Sequence, residues 1–486
     1  MRPEHIVFVL SDQHNPNVAG FAGDTVVRTP NFDRLSDSGV TFGNCYCSSP
    51  LCVPSRASML SAQLPSRTGV FNNFQALPSH MSTFARSLSI AGFETVLCGR
   101  MHFNGPDQRL GFEKRLIGDL TPSLPGLPKD VYGDALKAAD FPGRAPIEKA
   151  GPGYSSVLQY DSDVTEAAIE YMSTRTDPRP LFMVVGYYGP HCPYVAPPDL
   201  YAYYKHHLPP AEEISSEFRR TVHPAIRKWY KNRDVENVSA EQISRVRAAY
   251  YGMVEFLDNL FGQVAGGVER NLGIDDTLLI YGSDHGDTLG ENGVFWKTNF
   301  YEGAARVPLV CSWPAAIPAT RHIPHPVSLM DVGPTLIDIA EGPQTPGSDG
   351  LSLKQVLLGS EEADPDRTVF SQLADVKGDN PSAMVRKRQW KLVSHIGYKQ
   401  PQLFNLEEDP TEKNDLGDDH EHGSVREELL TELGSVWDET EIVRLHKESA
   451  EHARLYKEWV RVVGAKGIES DEWYGEVARN YLVPEE

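Results

Sequence analysis

Short apolar runs separated by amphipathic stretches characterise the first two thirds of the chain. Five runs of five or six residues are rich in Val, Leu and Phe and alternate little, which is typical of strands buried on both faces of a parallel sheet. The stretches between them have helical periodicity, and some end at a glycine. We predict strands at residues 6–10, 94–98, 181–186, 277–281 and 307–311, and helices at 31–38, 83–91, 163–173, 240–264 and 330–340.

The pattern changes after residues 341–350, which are rich in Pro, Gly and polar residues and read as a loop or linker. Two hairpin-like strand patterns follow, and then helical patterns at 425–436 and 442–463. We therefore predict an α/β domain over 1–350, with a large, mostly parallel sheet flanked by helices. A smaller α+β subdomain with a helical tail is predicted over 351–486.

Composition narrows the class of protein. Of the 486 residues, 40% are hydrophobic and 23% charged, which is ordinary for a globular protein. The formal charge of -21 disfavours binding to a phosphate backbone, so we expect no nucleic-acid partner. The apolar runs are too short for a membrane span, the N-terminal run reads as a strand rather than a signal peptide, and the six cysteines are sparse. We expect a cytoplasmic protein with reduced thiols and no membrane partner.

Polar side chains follow four of the predicted strands. In an open parallel sheet, ligands bind outside the carboxyl ends of the strands, so these residues are expected to share one edge. Each of them alone is compatible with a turn, a helix cap or a structural histidine. Together they predict an active site built from Asp12, Gln13, Arg100, His102, His191, Asp284 and His285.

A cysteine lies at the predicted start of a helix. Pro54 suits the first turn, which places Cys52 at the helix N-terminus. Unpaired N–H groups and the helix dipole favour an anion there, so the pKa of a thiol would be lowered. Arg56 lies one turn further on and can face the same point. The alternative is a buried cysteine on an ordinary helix.

The stretch Cys52-Val53-Pro54-Ser55-Arg56 resembles the Cys-x-Pro-x-Arg signature of type I sulfatases, formylglycine-dependent enzymes of the alkaline phosphatase superfamily. Other motifs of that family occur in the same order along the whole chain: Asp12, Gly99-x-x-His102, Pro190-His191, Asp284-His285-Gly286 and Lys297. The stretches 99–115 and 302–309 resemble those of bacterial choline-sulfatases. The pairs Asp12-Gln13 and Asp284-His285 resemble those of phosphonate monoester hydrolases and phosphodiesterases of the same superfamily. Arg100 departs from the family pattern, which has Lys at this position.

The resemblance implies an alkaline phosphatase-like fold and a modified residue 52. In the family, a maturation enzyme oxidises this cysteine to formylglycine, an aldehyde that hydrates to a geminal diol. The resemblance also implies one divalent cation held by Asp12, Asp284, His285 and residue 52, with Gln13 as a further ligand or a nearby donor. Carboxylate oxygens favour Ca²⁺ or Mg²⁺ and the imidazole favours Mn²⁺, so we expect Ca²⁺ or Mn²⁺ ahead of Mg²⁺.

Family analogy also assigns roles in catalysis. One diol oxygen attacks sulfur and forms a covalent sulfoenzyme, and His102 is the candidate base that releases sulfate. His191, together with Lys297, is the candidate acid for the leaving oxygen. Arg56 is expected to hold the diol. Arg100 and Lys297 are expected to bind the sulfuryl oxygens, and Asn73 to contact the substrate.

Two activities and one inactive alternative remain open. The first is hydrolysis of a sulfate ester, either a small polar organic sulfate or a sulfated sugar. The second is hydrolysis of phosphonate monoesters or phosphodiesters at the same site, because both tetrahedral anions attract the same cations. The third is a non-catalytic anion-binding relative. Homo-oligomerisation also stays open, because the C-terminal helices can pack either on a second copy of the chain or on their own chain.

Overall fold

The computed structural model describes residues 2–105, 107–120, 133–139, 141–374, 379–463 and 480–485. Its strands, in chain order, are β1 (His5–Asp12), β2 (Val40–Phe42), β3 (Cys45–Tyr46), β4 (Glu94–Gly99), β5 (Lys114–Arg115), β6 (Gly151–Tyr154), β7 (Leu181–Pro190), β8 (Val195–Ala196), β9 (Thr277–Ser283), β10 (Arg306–Val307), β11 (Leu309–Ser312), β12 (Arg321–Ile323), β13 (Val327–Ser328), β14 (Thr368–Leu373), β15 (Ser382–Lys387), β16 (Trp390–His395), β17 (Gln402–Asn405) and β18 (Tyr481–Leu482).

The helices complete the element order. They are α1 (Pro30–Asp37), α2 (Cys52–Ser61), α3 (Pro65–Thr68), α4 (Phe84–Ile90), α5 (Gly133–Leu136), α6 (Arg144–Glu148), α7 (Ser156–Thr174), α8 (Pro198–His207), α9 (Phe218–Thr221), α10 (Pro224–Asn232), α11 (Ala240–Asn271), α12 (Glu302–Ala305), α13 (Val332–Ala340), α14 (Lys354–Leu357), α15 (Gly423–Gly434) and α16 (Glu439–Val463).

The largest sheet in the described part of the chain has eight strands in the order β12-β2-β11-β9-β1-β7-β4-β5. The central strands β9, β1, β7 and β4 run parallel to one another, and their side chains are buried except at the very start of β1. Apolar clusters cover both faces of this sheet, which explains the near-continuous apolar runs in the sequence. The predicted α/β fold with a large, mostly parallel sheet is confirmed.

The predicted strand at 307–311 differs from the observed structure. It is divided into β10 and β11 at Pro308, which has no N–H to donate to a strand neighbour. β11 runs antiparallel to both β9 and β2, so the sheet is mixed at this side. Apolar runs do not reveal strand direction, and this part of the pattern was therefore ambiguous.

Two predicted helices extend beyond their expected bounds. α7 begins at Ser156 rather than at residue 163. α11 continues past residue 264 to Asn271, through two adjacent glycines that lower helix propensity. A Cβ on Gly267 would lie 3.0 Å from the Met172 side chain of α7, so the missing side chain allows close packing of these two helices. Tertiary packing here outweighs local propensity.

The C-terminal part of the described chain contains a four-stranded antiparallel sheet, β14-β15-β16-β17, against which α15 packs. This agrees with the predicted smaller α+β unit, while its predicted boundary at residue 350 stays a prediction. The chain later returns to the larger unit, where β18 pairs with β6. None of the described helices combines the length and the apolar character that crossing a membrane requires.

A buried set of polar side chains joins the C-terminal sheet to the larger unit, and we call it the boundary cluster. The Lys391 ammonium donates to Glu302 Oε1 and to the Phe300 carbonyl, both at 2.8 Å, and it also pairs with Glu412. Glu302 Oε2 accepts from the Tyr46 hydroxyl at 3.0 Å, and the Glu302 N–H donates to Glu412 Oε2 at 2.7 Å. The cluster consists of Tyr46, Glu302, Arg386, Lys391 and Glu412.

Candidate active site

The carboxyl ends of β1 and β9 bring two aspartates together. Asp12 is the last residue of β1, and Asp284 directly follows β9, its hydrogen-bonded neighbour. With Cys52 and His285 they form a fully buried group whose ligand atoms all lie within 4.8 Å of one another. Residues far apart in the sequence therefore converge as the strand-end pattern predicts.

Cys52 is the first residue of α2, and Leu51, with extended backbone, precedes it. Its sulfur lies 3.2 Å from His285 Nε2 and 3.7 Å from Asp12 Oδ1. Burial by itself raises the pKa of the Cys52 thiol, but Lys297 and His285 hold this pKa well below its ordinary value. The position at a helix N-terminus acts in the same direction. The site therefore stabilises a negative charge at residue 52.

Each aspartate gives one oxygen to an arginine and directs the other towards the centre of the site. Asp284 Oδ2 accepts from Arg56 Nε at 2.7 Å, and Asp12 Oδ2 accepts from Arg100 Nε at 2.7 Å. Arg56 also reaches Asp12 Oδ2, at 3.2 Å. Burial raises the pKa of Asp12, but the nearby arginines outweigh this effect and the pKa is lowered overall. Asp12 thus remains anionic although it is fully buried.

His285 presents its second nitrogen to the same point. Its Nδ1 lies 3.0 Å from the Gly286 carbonyl oxygen, which can only accept, so Nδ1 carries a proton and Nε2 has a free lone pair when the imidazole is neutral. Oxygen donors from two carboxylates, one imidazole nitrogen and residue 52 form a set that suits a hard or intermediate divalent cation. The residues present therefore fit the metal that the sequence predicts, without determining which ion is bound.

Gln13 connects the aspartates to Lys297. Its backbone is in the left-handed region, with φ 71°, and its N–H donates to Asp284 Oδ1 at 3.1 Å. Its side-chain amide donates to Asp287 Oδ2 at 2.7 Å and accepts from Lys297 Nζ at 2.6 Å. The Gln13 oxygen thus holds the ammonium of Lys297, whose pKa is raised because Cys52 and Asp12 outweigh the burial that lowers it.

Arg100 and His102 are held by a carboxylate that the sequence reasoning missed. Asp119 Oδ1 accepts from Arg100 Nη1 at 2.8 Å, and Asp119 Oδ2 accepts from the backbone N–H of His102 at 2.9 Å. Arg100 Nη2 also lies 2.8 Å from His102 Nδ1. Since a guanidinium only donates, His102 Nδ1 accepts, and the ring proton of neutral His102 lies on Nε2.

His191 approaches residue 52 from the segment after β7. Its Nδ1 lies 2.6 Å from the Cys192 carbonyl oxygen, so Nδ1 donates and Nε2 is available to the site. Burial and the positive charge of Lys297 lower the pKa of His191. The Tyr188 ring packs against His191 at a centroid distance of 5.0 Å and against the Arg100 guanidinium at 4.2 Å.

Asn73 is placed differently from the rest. Its side-chain oxygen accepts from the backbone N–H of Val53 at 3.0 Å, in the first turn of α2. The Asn73 carbonyl accepts from Asn104 at 2.8 Å. These contacts satisfy the start of the helix that carries residue 52, so the Asn73 oxygen supports that helix, and the predicted substrate contact stays a prediction.

Two of the missed residues had a usable signal in the sequence. Asp119 follows the short strand β5, which pairs with β4, so it obeys the same strand-end pattern as Asp12. Asp287 lies in the stretch that already carries Asp284 and His285. Tyr188 had no such signal, because a tyrosine at the end of an apolar strand looks like ordinary packing.

Comparisons with known protein families agree with this geometry. The sulfatase family model matches residues 4–342, which include every residue of the site. A second model, for the C-terminal region of N-sulphoglucosamine sulphohydrolase, matches residues 290–439. The chain is 35% identical over 447 residues to a choline-sulfatase of Rhizobium meliloti (strain 1021), covering 88% of this chain and 85% of the relative.

Solved structures share the fold. A phosphonate monoester hydrolase of Agrobacterium radiobacter superposes with a TM-score of 0.76 at 22% identity, over 90% of this chain and 95% of that one. The protein BT4656, solved with its substrate D-glucosamine-2-N,6-O-disulfate, superposes with a TM-score of 0.72 at 20% identity, over 92% of this chain and 99% of that one. The chain belongs to the sulfatase family of the alkaline phosphatase superfamily, and it is a sulfuric ester hydrolase.

Proposed function

We propose that this enzyme hydrolyses the sulfate ester of a small polar alcohol or sugar, and that residue 52 acts as a formylglycine diol. The observation that carries the proposal is the position of Cys52, which lies at a helix N-terminus between the oxygen donors Asp12 and Asp284 and the cation Lys297. A thiolate has one nucleophilic atom, and its sulfated adduct has no internal route to release. A geminal diol has a second hydroxyl that provides this route.

We propose that Asp12, Asp284, His285 and residue 52 hold one divalent ion, Ca²⁺ or Mn²⁺ ahead of Mg²⁺. Such an ion, when bound, supplies charge neutralisation for the nucleophile and the sulfuryl oxygens. Arg56 holds the two aspartates in place through its contacts with both carboxylates. Because the Gln13 amide is hydrogen-bonded to Asp287 and Lys297, its role in this proposal is to position Lys297.

The reaction is proposed to proceed in two steps. In the first, one diol oxygen at residue 52 gives its proton to solvent and forms a bond to sulfur, while the bond from sulfur to the ester oxygen breaks. Because Nδ1 of His191 donates to the Cys192 carbonyl, His191 acts in its protonated form: its Nε2 proton, taken up from solvent, passes to the leaving alkoxide, and Lys297 stabilises the charge beside it. In the second step the remaining hydroxyl gives up its proton, the bond between carbon and the sulfated oxygen breaks, sulfate leaves, and the aldehyde forms again. Water then restores the diol.

The base of the second step is proposed to be His102, although its hydrogen bonds must rearrange before it can accept a proton. Arg100 donates to Nδ1, so neutral His102 presents N–H rather than a lone pair at Nε2. His102 can accept a proton at Nε2 only if its tautomer or the Arg100 contact changes. Arg100 itself donates to Asp12, Asp119 and His102, so its proposed contact with the sulfuryl group comes in addition to these three hydrogen bonds.

The test combines chemistry at residue 52 with a substrate panel. Protein is prepared with and without a formylglycine-generating enzyme, and the mass of the peptide containing residue 52 is compared with kcat/KM for choline sulfate, glucosamine 6-sulfate and a phosphonate monoester. We expect activity to follow the aldehyde fraction and to be highest on a sulfate ester. The control is Cys47→Ala, because Cys47 is also buried but belongs to another contact. Full activity with unmodified Cys52 would overturn the mechanism.

The second candidate is a phosphonate monoester or phosphodiester hydrolase. The fold of the Agrobacterium radiobacter enzyme and the Asp12-Gln13 and Asp284-His285 pairs favour it. The same panel separates the two, since a kcat/KM for the phosphonate above that for every sulfate ester would establish the second activity as the principal one.

A further inference from the structure

A buried carboxylate behind the active site holds the segment that carries His191. Asp161 lies on α7 and is 1% exposed. Its two oxygens accept from consecutive backbone groups, Oδ1 from the Tyr188 N–H at 2.7 Å and Oδ2 from the Gly189 N–H at 2.8 Å. No ion pair joins Asp161 to a residue that the structure describes. Hydrogen bonds from two backbone N–H groups therefore compensate the burial of its carboxylate.

The segment that Asp161 holds is the one that shapes the site. Tyr188 and Gly189 directly precede Pro190 and His191. The Tyr188 ring lies between the Arg100 guanidinium, 4.2 Å from its centroid, and the His191 ring, 5.0 Å away. A shift of the Tyr188 backbone therefore moves the surface against which both the candidate acid and the candidate cation rest.

The fit between Asp161 and this segment is close. A Cβ on Gly189 would lie 2.7 Å from Asp161 Oδ2, a distance that real Cβ atoms do not tolerate. A glycine at position 189 thus lets the carboxylate approach the backbone. Only a carboxylate offers an acceptor to both N–H groups, because an asparagine in the same place offers one acceptor and one donor.

We propose that Asp161 is a positioning residue for the reaction: by fixing the Tyr188–Gly189 peptide groups it sets the orientation of His191 towards the leaving oxygen. This inference rests on the proposed function, in which His191 is the acid. Burial raises the pKa of Asp161 to about 7, and the two N–H groups and Arg100 oppose this rise, so loss of these hydrogen bonds would favour the protonated form further.

The molecule offers a matched control for this idea. Asp258, on α11, is likewise buried and accepts from two consecutive backbone groups, the N–H of Asn31 at 3.1 Å and that of Phe32 at 2.8 Å. Those groups belong to the start of α1, which carries none of the site residues. Oδ1 of Asp258 accepts both of these N–H groups, and Oδ2 accepts from the Asn31 side-chain amide at 2.8 Å. Asp258→Asn therefore also places an amide NH₂ opposite a donor at a buried carboxylate site, at a place that holds none of the site residues.

The experiment measures kcat/KM of the mature enzyme on para-nitrophenyl sulfate and on an alkyl sulfate ester that the wild type turns over. Acid assistance matters most for a basic leaving oxygen. We expect Asp161→Asn to lower kcat/KM roughly 10- to 100-fold on the alkyl ester but less than about threefold on the aryl ester. Gly189→Ala, which disturbs the same contact from the other side, is expected to give the same selective loss. Asp258→Asn is expected to lower the melting temperature and leave the alkyl-to-aryl ratio unchanged.

His191→Ala separates failure of this inference from failure of the proposed function. If His191→Ala loses activity equally on both esters, the acid assignment is wrong and the role of Asp161 is overturned with it. If His191→Ala is selective for the alkyl ester but Asp161→Asn and Gly189→Ala are not, only the positioning role is overturned. Should Asp161→Asn not fold, Gly189→Ala alone decides between these outcomes.

Discussion

The active site and the boundary cluster both bury acids beside cations, but they differ in what the acids have left to bind. In the boundary cluster, both oxygens of Glu302 accept hydrogen bonds, Glu412 Oε2 accepts from the Glu302 N–H, and Glu412 Oε1 forms an ion pair with the Lys391 ammonium. In the active site, Asp12 gives Oδ2 to two arginines, while the contacts that Oδ1 makes with the described residues are with Cys52 and His285. Burial of charge therefore does not by itself mark a functional site. The functional site is marked instead by a buried carboxylate oxygen that accepts from no arginine or lysine of the described chain and lies where several cationic side chains converge.

The largest effect is expected for the variant Asp284→Asn. Removal of one carboxylate from the proposed ligand set is expected to abolish metal binding and to lower kcat/KM by at least about 10³-fold, because several kcal/mol of transition-state stabilisation depend on the proposed ion. Metal content by mass spectrometry and kcat/KM are measured together. The control is Asp331→Asn, a buried acid that pairs with Arg367 at 2.6 Å and should keep both metal and activity. An Asp284→Asn enzyme that is active and still contains its metal would show that Asp284 is not a metal ligand.

The next largest effect is expected on stability, and it concerns the boundary cluster. Lys391→Met leaves two buried acids without their shared cation, so unfolding is expected to become easier by about 3–5 kcal/mol. Lys387→Met is the matched control on the same hairpin, since Lys387 pairs with Glu428 and Glu432 near the surface and is expected to contribute at most about 1 kcal/mol. Urea unfolding measures both. Equal destabilisation by the two variants would show that the buried ion pairs of Lys391 contribute no more to stability than those of Lys387 near the surface.

A smaller effect is the pH dependence of the boundary cluster. Burial raises the pKa of Glu412 above its ordinary value of 4.5, although Lys391 lowers it. A carboxyl that binds its proton more tightly in the folded state makes stability fall as pH rises from 4.5 through the raised pKa. Glu412→Gln removes this contribution, so the melting temperature of the variant relative to the wild type should increase across that window. A constant difference at all pH values would contradict the shift.

The smallest effect is expected at the surface. Arg388 forms an ion pair with Asp366, and both side chains are more than half exposed. Because solvent screens such a pair, Arg388→Ala should leave the melting temperature and kcat/KM unchanged. A measurable loss of stability here would mean that exposure is a poor guide to which charges matter in this protein.

The sequence predicts much of the site because the rule involved is simple. Asp12, Arg100, His102, His191, Asp284 and His285 all follow buried apolar strands, and parallel strands end at one edge. Their convergence depends on topology alone, which the periodicity of the chain already suggests. The helix start at Cys52 is similarly local, because Pro54 marks the first turn.

The parts that could not be predicted depend on tertiary contacts. Asp161 lies within a helix, and nothing in the local pattern separates it from a solvent-facing acid such as Glu166. The direction of β11 depends on which neighbour it pairs with, and the length of α11 depends on packing of Gly267 against α7. Hydrogen-bond roles, such as that of the Gln13 amide, require knowing both partners.

The burial of residue 52 has a consequence for when it can be modified. The folded protein leaves Cys52 only 1% exposed, so another enzyme cannot reach its side chain after folding. His285, which closes over it, is made 233 residues later in the chain. At ordinary rates of translation this leaves roughly 10 to 50 s in which the proposed oxidation can occur before its partners emerge. In the proposed mechanism, the fraction of active enzyme therefore depends on whether oxidation of residue 52 precedes folding, and slower translation or a higher level of maturation enzyme should raise it.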